Sequence, residues 1–472
     1  MNFFAFLVGI AIPVILGWIS LLLLEGKNPV LGRAERWFFA LILGPTLFAL
    51  IVFLPHVLGL TALTLSGFLI PSLIATAILI IAAIVTRSFS RQSTAPEYAP
   101  STPLPTWMKI GILLLTIWTA MKILAGAYDL VSVPTYWDDS FNNWNMRGKM
   151  FYLNEKLLLE IPVGNGIVQS ASGVSSYPVT VPLLKTWLSV LRGSWEEPLV
   201  NSLHLIWFAG LIGSFYFGLR RRLQPMLSLF GVYLLVSLPL LLIQATNPYA
   251  DIFMAAHILL PMICLFAMSE TEDREKVKTW VKLFGFALGL MIFTKNEASV
   301  LYAPTMTILF VWILLAKKKV ALLTAEQVRK TFALFALLAL LFAAPWLLFK
   351  WMHGLTFGNA KSVSGLTLSL NTKVIQAIWF HLSHEPNWLL LPLVTPLTII
   401  LSGKSAFKLP EGVLTVFLLV TVAAQFLIFI FVSSLATEAI MQTGLSRGLL
   451  HIMPIAVMVV MVLLQKTLES KE

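Results

Sequence analysis

Two adjacent carboxylates, Asp138 and Asp139, directly follow a long apolar stretch of the chain. Carboxylates at a membrane boundary are costly unless a partner or a reaction uses them. If a helix begins at Asp138, residues 138, 141, 142 and 145 share one face, which places an acid beside Asn142. This pattern indicates a general base next to an amide that orders its substrate. A helix N-cap without catalytic function explains a single one of these acids equally well.

Further charges interrupt the apolar runs later in the chain. Asp251 follows Tyr249 in a short turn and begins the next apolar run, and Lys295, Asn296 and Glu297 stand together between two others. An N-cap would account for Asp251 alone. A tight hairpin explains the polarity of residues 295–297 but does not require both charge signs. These residues are therefore candidates for ordering a substrate or supporting a base.

Arg447 and His451 lie four positions apart, on one face of a predicted helix at the edge of the last apolar run. Arginine binds phosphate with two parallel N–H groups, and a histidine can supply a further donor. Arg147 is another candidate cation for a phosphate. An arginine that extends from a helix end toward the lipid headgroups is the alternative for Arg447.

The amino-acid composition indicates the class of protein to which these residues belong. The chain has 472 residues, of which 58% are hydrophobic and 12% charged, and its mean hydropathy is +0.87. These values predict an all-α, polytopic transmembrane bundle, because each span must satisfy its own backbone in lipid and alternating ten-residue strands are absent. The single Cys264 excludes an intramolecular disulfide. No Walker loop or His-rich metal tract is present, and the net charge of +11 indicates membrane orientation and not nucleic acid.

Hydropathy predicts about thirteen spans. They cover residues 3–24, 38–56, 62–85, 107–126, 198–218, 225–245, 250–268, 279–294, 298–316, 331–349, 387–403, 411–434 and 448–465. Basic clusters fall in alternate connections, which predicts a multi-pass protein with its N-terminus outside and its C-terminus in the cytoplasm. All the candidate residues above then lie on the non-cytoplasmic side.

The chain divides into three predicted parts. Residues 1–86 form an N-terminal three-span segment, and 87–106 form a Ser/Thr/Pro-rich cytoplasmic linker. Residues 107–472 form the core, with a large outer loop at 127–197. Within this loop an amphipathic stretch, Val181 to Leu191, is too short to span the bilayer. It is predicted to lie at the membrane interface with Trp187 as its anchor.

The order of these motifs resembles the GT-C glycosyltransferases, which include protein O-mannosyltransferases and the lipid A aminoarabinose transferases. In that superfamily the first core span leads to an acidic pair and then to an amphipathic juxtamembrane helix, and a further acid lies two spans later. The matching motifs here are Asp138-Asp139, Tyr177-Pro178 with Pro182-Leu183, Tyr249-Ala250-Asp251, Thr294 to Glu297, and Arg447 with His451 and Pro454. The resemblance covers about residues 107–465, and it implies a location in the plasma (inner) membrane.

The resemblance implies a GT-C-like catalytic core that transfers a sugar from a polyprenyl-phosphate donor to a hydroxyl of a lipid, glycan or protein acceptor, with inversion. It implies that Asp138 is the base and that Asp139 and Asp251 assist it. Arg447, His451, Lys295 and Arg147 would bind the donor phosphate. Asn142, Tyr177, Tyr249, Asn296 and Glu297 would order the substrates. Metal use varies in the superfamily, so a divalent cation is a possible cofactor. The chain departs from the pattern in its Asp-Asp pair, where Asp-Glu is common, and in its three additional N-terminal spans.

Two other classes of protein remain open. A transporter or flippase of a lipid-linked or anionic solute predicts charges near the bilayer midplane and two repeated halves. The charges here lie at span ends, and no internal repeat is evident. A non-catalytic scaffold of an envelope pathway predicts that replacing Asp138 has no effect.

Overall fold

The computed structural model describes residues 3–89, 98–100, 103–136, 139–163, 166–169, 174–357 and 369–469. Its helices are α1 (Phe3–Glu25), α2 (Arg33–Val57), α3 (Leu65–Val85), α4 (Thr106–Ser132), α5 (Met146–Asn154), α6 (Thr180–Arg192), α7 (Glu197–Asn201), α8 (Leu203–Arg220), α9 (Pro225–Ser237), α10 (Pro239–Ala245), α11 (Asp251–Glu270), α12 (Arg274–Ile292), α13 (Ala303–Lys319), α14 (Ala325–Met352), α15 (Thr372–Ser383), α16 (Leu391–Ser402), α17 (Glu411–Phe431), α18 (Ala436–Ile440) and α19 (Gly444–Glu469). Two strands, β1 (Ile161–Val163) and β2 (Gly166–Gln169), form a short antiparallel hairpin. The predicted all-α transmembrane bundle is confirmed, with this hairpin as a small addition.

Short irregular helices complete the architecture. Wide π-helical turns precede α5 and α13, at Ser140–Asn145 and Ala298–Tyr302. Single 3₁₀ turns lie at Val174–Ser176, Pro386–Trp388, Gly403–Phe407 and Ser433–Leu435. The π-helices are of interest because such turns are rare and often occur at functional sites.

Each of the thirteen predicted spans contains a helix. Within the described residues, ten helices are long and apolar enough to cross a membrane, and α9 with α10 makes an eleventh if this pair, bent by 81°, is one span. Pro239 stands at the bend and cannot continue the helix of α9. The two predicted spans that remain, 279–294 and 387–403, correspond to α12, which begins with several charges, and to the short α16.

Helix α11 is the centre of the bundle. In its most apolar stretch, 94% of the residues are buried, and the helix packs against α8, α12 and α19. A helix that is apolar on all sides is expected in such a position. By contrast, only 17% and 11% of the residues are buried in the most apolar stretches of α3 and α4, so their apolar faces are available to contact lipid. Because α11 begins at Asp251 and ends at Glu270, the two ends of the bundle are called the Asp251 end and the Glu270 end. Twenty residues place these ends about 30 Å apart.

The N-terminal helices share one hydrophobic core with the rest of the chain. Helices α1 and α2 approach closely at Gly17, where a Cβ would lie 2.5 Å from the Cα of Gly44. Helix α2 is also tied to α11, because the Thr46 hydroxyl lies 2.8 Å from Nε2 of His257.

Helix α6 rests on these N-terminal helices. The Trp187 indole N–H donates to the Gly9 carbonyl at 2.9 Å, and its ring packs against Phe48 and Phe68. The prediction that Trp187 anchors α6 at the lipid interface is therefore wrong, since the side chain is fully buried within the protein. The reason is that α1 to α3 supply both an apolar surface and a carbonyl acceptor, which an amphipathic indole requires.

Candidate functional site

The carboxylate of Asp251 is the centre of a buried ion network. Its Oδ1 accepts from Lys295 Nζ at 2.9 Å and lies 2.8 Å from His451 Nε2, and its Oδ2 accepts from Arg447 Nε at 3.0 Å. No side-chain hydrogen bond caps the start of α11. An N-cap function therefore does not account for Asp251. Its side chain is fully buried, and three donors compensate its charge.

Arg447 joins this carboxylate to the acidic pair. It lies in the first turns of α19 and donates through Nη1 to Asp139 Oδ2. Its guanidinium also stands over the Tyr249 ring, with Cζ 5.1 Å from the ring centroid. Arg447 is therefore held by two carboxylates and an aromatic face, and a simple anchoring function at the lipid headgroups does not describe it. Asp139, Asp251, Lys295, Arg447 and His451 are called the Asp251 network.

The turn between α12 and α13 supplies the remaining charges. Lys295 Nζ lies 3.5 Å from Glu297 Oε1 as well as close to Asp251. Glu297 is half-buried, and its Oε2 has no partner in the described residues. Burial raises the pKa of Glu297, but Lys295 and His451 outweigh it and leave this pKa below its ordinary value. The carboxylate is thus kept ionised.

The network extends into the bundle beyond His451. Its Nδ1 lies 3.2 Å from the Tyr302 hydroxyl, to which Gln425 Nε2 donates at 3.4 Å. Gln425 also donates to the Gly448 carbonyl at 3.2 Å, and a Cβ on Gly448 would lie only 2.5 Å from Gln425 Oε1. These contacts fix the imidazole from the side opposite Asp251, so that it has one orientation.

Tyr177 lies close to the same charges. Burial raises the pKa of its phenol, and Glu297 and Asp139 raise it further, while Arg447 opposes them. The phenol therefore stays protonated and can donate a hydrogen bond to a substrate oxygen. Its ring makes an edge contact with Trp144, at 5.9 Å between centroids.

The predicted helix face after Asp138 does not form. Residues 140–145 adopt a π-helix, whose wider turn changes the spacing of the side chains. Phe141 and Asn142 are exposed, whereas Asn145 is buried on another side of the turn. Asn142 therefore lies near the acidic pair in sequence but not on one surface with Asn145.

Asn145 belongs to a second buried cluster, which holds the chain just before the acidic pair. Lys185 Nζ donates to the amide oxygens of Asn145 and of Asn201, the latter at 3.2 Å. Both amide groups donate to Thr135 Oγ1 at 3.0 Å, and Glu197 accepts from the Thr135 N–H at 2.9 Å. Burial lowers the pKa of Lys185 to about 7, against the opposing effect of Glu197.

The structure brings most of the predicted site residues together. Asp139, Asp251, Lys295, Arg447 and His451 are in direct contact, and Tyr249, Tyr177 and Glu297 adjoin them. Arg147 lies on α5 and donates to the Tyr177 carbonyl at 3.0 Å. Asn296 accepts from Lys350 at 3.0 Å. Asp138, the predicted base, lies outside the described residues.

Several residues of these clusters were missing from the predicted site, among them Tyr302, Lys350 and Gln425. Gln425 is an amide within the apolar run of α17, and a polar residue inside a span is a reason to suspect function. Tyr302 and Lys350 gave weaker signals, because a tyrosine or a lysine near the end of a span is usually an interfacial residue.

A divalent cation does not fit the described site. Within the described residues, no group of three or more His, Cys, Asp or Glu side chains could hold a metal ion. The oxygens of Asp251 accept from Lys295, Arg447 and His451. Arg447 and Lys295 thus already provide the positive charge that a metal ion would supply.

The arrangement can be compared with known proteins. No protein-family model and no curated protein sequence matches the chain. The fold is similar to that of a GT-C lipid A aminoarabinose transferase. That transferase is ArnT from Cupriavidus metallidurans, whose solved structure is bound to undecaprenyl phosphate. The TM-score is 0.50 at 14% identity, over 76% of this chain and 60% of that one. The chain thus covers about 60% of the length of ArnT.

Proposed function

We propose that the protein transfers a sugar from a polyprenyl-phosphate donor to a hydroxyl group on a lipid, glycan or protein acceptor. The observation that carries this proposal is the Asp251 network. It joins Asp139 of the acidic pair, the 295–297 turn and the start of α19 at one end of a GT-C-like bundle. ArnT, whose fold is similar, was solved with undecaprenyl phosphate.

The chemistry is a direct displacement that inverts the anomeric carbon. The acceptor oxygen forms a bond to this carbon as the bond from the carbon to the phosphate oxygen breaks. The electron pair of the breaking bond leaves with the polyprenyl phosphate. A base on the acceptor side must take the hydroxyl proton. By its resemblance to the GT-C acidic pair, Asp138 is this base.

Asp251 and Asp139 act as positioning residues in this proposal. Both oxygens of Asp251 are occupied by donors, so its carboxylate is unsuited to accept a further proton. Asp139 is bound to Arg447, which is bound to Asp251. This linkage supports a fixed backbone next to Asp138. Glu297 has an oxygen without a partner in the described residues, so it can order the acceptor hydroxyl.

The cations divide into two groups. Arg447, Lys295 and His451 bind Asp251, so much of their positive charge is already compensated. The remaining N–H groups of Arg447 and Lys295 can still stabilise the leaving phosphate, whereas both ring nitrogens of His451 already have protein partners. Arg147 has no carboxylate within 4 Å among the described residues, and its charge is therefore more available to an anion.

The site is proposed to face the non-cytoplasmic side of the plasma membrane. The basic loops lie at the Glu270 end, which by the positive-inside rule is cytoplasmic. The N-terminus is then outside, and the C-terminus, at the end of α19, inside. A donor lipid can reach the Asp251 end along the apolar faces of the helices.

The test is sugar transfer by the purified protein in nanodiscs from a panel of radiolabelled polyprenyl-phosphate sugars. Asp138→Asn is compared with wild type and with Asp129→Asn, a matched change at an exposed position of α4. Removing a general base should reduce transfer about 10²- to 10⁴-fold, while Asp129→Asn retains it. If no donor is consumed but the labelled lipid crosses a proteoliposome membrane, the transporter alternative replaces this proposal.

A further inference from the structure

Helix α4 carries a lysine, Lys122, deep within its transmembrane segment. The predicted span 107–126 placed this residue near an end, but α4 continues to Ser132. Lys109 and Asp129 stand near the two ends of α4, and the helix rises by about 30 Å between them, which is the thickness of a hydrocarbon core. Along the helix axis, Lys122 lies about 20 Å from Lys109 and about 10 Å from Asp129. Lys122 is therefore at a depth to which water has no access.

The ammonium group of Lys122 has no counter-charge. In the part of the chain that the structure describes, Nζ forms neither an ion pair nor a hydrogen bond. It stands over the Trp118 ring, 5.6 Å from the centroid. A charged side chain within the bilayer is costly, and such residues almost always pair with another group. Lys122 thus lacks the partner that its depth requires.

Extension to the lipid headgroups does not account for this lysine. The nearer membrane boundary, that at Asp129, lies toward the C-terminus of α4, whereas the Cα–Cβ bonds of a helix tilt toward its N-terminus. The contact with Trp118, one turn earlier in the chain, has Lys122 pointing in this second direction. The boundary on that side is about 20 Å away, which is beyond the reach of a four-carbon side chain.

The side of α4 that carries Lys122 has room for another helix. Five residues share this side at alternating intervals of four and three, the spacing of a seam between two helices: Gly111, Leu115, Trp118, Lys122 and Ala125. They are called the α4 seam. A Cβ on Gly111 would meet no atom within 4 Å, and the Trp118 side chain is 52% exposed. Ala125 is exposed and small, which permits a second helix to approach closely.

We propose that the α4 seam is the docking surface for a transmembrane helix of another protein, and that this helix carries an aspartate or glutamate at the depth of Lys122. The carboxylate accepts from the ammonium group, so that neither charge is left alone in lipid. Apolar side chains give two helices little reason to associate in a membrane, because lipid tails are equally apolar. The pair of charges therefore supplies both affinity and register. This proposal does not depend on the transfer of a sugar.

A second copy of this chain does not fit the seam. Two copies inserted in the same direction are related by an axis along the membrane normal, so an α4–α4 contact would place both Lys122 side chains at one depth. Like charges would then meet, since Asp129 of each copy lies about 10 Å further along the axis. Their repulsion opposes such a dimer.

The first experiment uses a synthetic transmembrane helix as the probe. Two dye-labelled polyleucine peptides, one with a central glutamate and one without, are titrated against the dye-labelled full-length protein in proteoliposomes, and energy transfer reports binding. Wild type should bind the glutamate peptide about tenfold more tightly than the plain peptide. Lys122→Met should abolish this difference, whereas Lys109→Met, a matched change on the same helix, should retain it. Equal binding of the two peptides to wild type overturns the proposal.

A charge reversal separates pairing from folding. Lys122→Met removes a charge from lipid, so this variant should unfold at the same or a higher temperature than wild type. Lys122→Glu should reject the glutamate peptide and bind a peptide with a central lysine about tenfold more tightly than the plain one. If Lys122→Glu still prefers the glutamate peptide, the carboxylate does not pair at this position and the proposal is wrong.

Photocrosslinking in the native membrane tests the natural partner. A photoreactive phenylalanine derivative in place of Trp118 lies on the seam beside Lys122. The expected product joins the chain to a protein with an acidic residue inside one of its spans. This product should be lost in Lys122→Met and retained in Lys122→Arg, which keeps the charge. Crosslinks to lipid alone, to a second copy of this chain, or to a protein whose spans contain no acidic residue overturn the proposal.

Discussion

Buried charged side chains are paired differently at the two ends of the bundle. At the Glu270 end, each buried arginine has its own carboxylate: Arg36 Nε lies 2.6 Å from Glu25, and Arg221 Nη2 lies 2.6 Å from Glu35. At the Asp251 end, one carboxylate serves three donors. Arg147, Lys185 and Lys350 have no carboxylate within 4 Å in the described part of the chain.

The difference indicates which charges serve the fold. A buried ion pair joins two helices and leaves neither charge without a partner. Glu25, for example, also accepts the backbone N–H groups of Val30 and Leu31, at 2.8 and 2.7 Å, and so fixes the turn between α1 and α2. Cations without counter-charges contribute no such attraction and cost free energy on burial. Among the described residues the Asp251 end has three of them, whereas at the Glu270 end only Lys317 is buried against carbonyls in this way. Their accumulation at the Asp251 end is the expected mark of a site for an anionic substrate.

The largest effect is expected for Asp251→Asn. The change leaves Lys295 and Arg447 without their shared charge, and breaking a buried ion pair in this way costs about 3–5 kcal/mol. Sugar transfer should be lost, because Arg447 and His451 lose their positions. Chemical denaturation in mild detergent and transfer in nanodiscs measure the two effects.

Glu25→Gln is the matched change at the Glu270 end. It should also destabilise the protein, since Arg36 loses its partner, but transfer per folded molecule should equal that of wild type. If Glu25→Gln abolishes transfer in the folded protein, or Asp251→Asn retains it, the two ends do not differ in the way described.

A smaller effect is expected for Asp139→Asn. The side chain of Asp139 is 34% exposed, and Arg447 keeps its contact with Asp251, so stability should change little. Loosening the segment next to Asp138 should lower kcat about 10- to 100-fold, as expected when a reacting group is slightly misplaced. Steady-state kinetics at varied donor concentration separate kcat from KM. An unchanged kcat contradicts the positioning function.

The sequence predicted the bundle and most of the site for clear physical reasons. Apolar runs of about twenty residues form helices because, in lipid, the backbone N–H and C=O groups of a single span can be satisfied only within a helix. Asp251, Lys295 and Arg447 were conspicuous because carboxylates at a membrane boundary, and charges of both signs between two apolar runs, are costly unless a partner or a reaction uses them. Their sharing of one site also followed from their place on the same side of the predicted threading.

The parts that could not be predicted depend on tertiary contacts. The π-helix at Ser140–Asn145 changes the face on which Asn145 lies, and hydrophobic periodicity gives no sign of it. Trp187 appeared interfacial because the helices that cover it lie more than a hundred residues earlier in the chain. Lys350 appeared to be an ordinary lysine at a span end. Only the structure places it among carbonyls, with no carboxylate near it.

Lys185 provides a pH test of the unpaired cations. Burial lowers the pKa of Lys185 to about 7, whereas the unfolded side chain titrates near 10.4. Between these values the unfolded chain binds more protons than the folded one. The free energy of unfolding should therefore rise with pH above 7, by about 1.4 kcal/mol per pH unit from this group. Lys185→Met should lack this part of the slope. Equal slopes for both proteins from pH 7 to 9 contradict the neutral, buried lysine.

The smallest effect is expected for the exposed pair Glu326 and Lys330 near the start of α14. Their charged atoms are 2.7 Å apart, but the side chains are 64% and 74% exposed, so water and salt screen the attraction. Lys330→Ala should change the free energy of unfolding by under about 0.5 kcal/mol and leave transfer unchanged. The same measurement on Glu25→Gln should show a clearly larger loss of stability. If the two changes are alike, pairing alone and not burial sets the strength of the contacts at the Glu270 end, and the contrast with the Asp251 end loses its energetic basis.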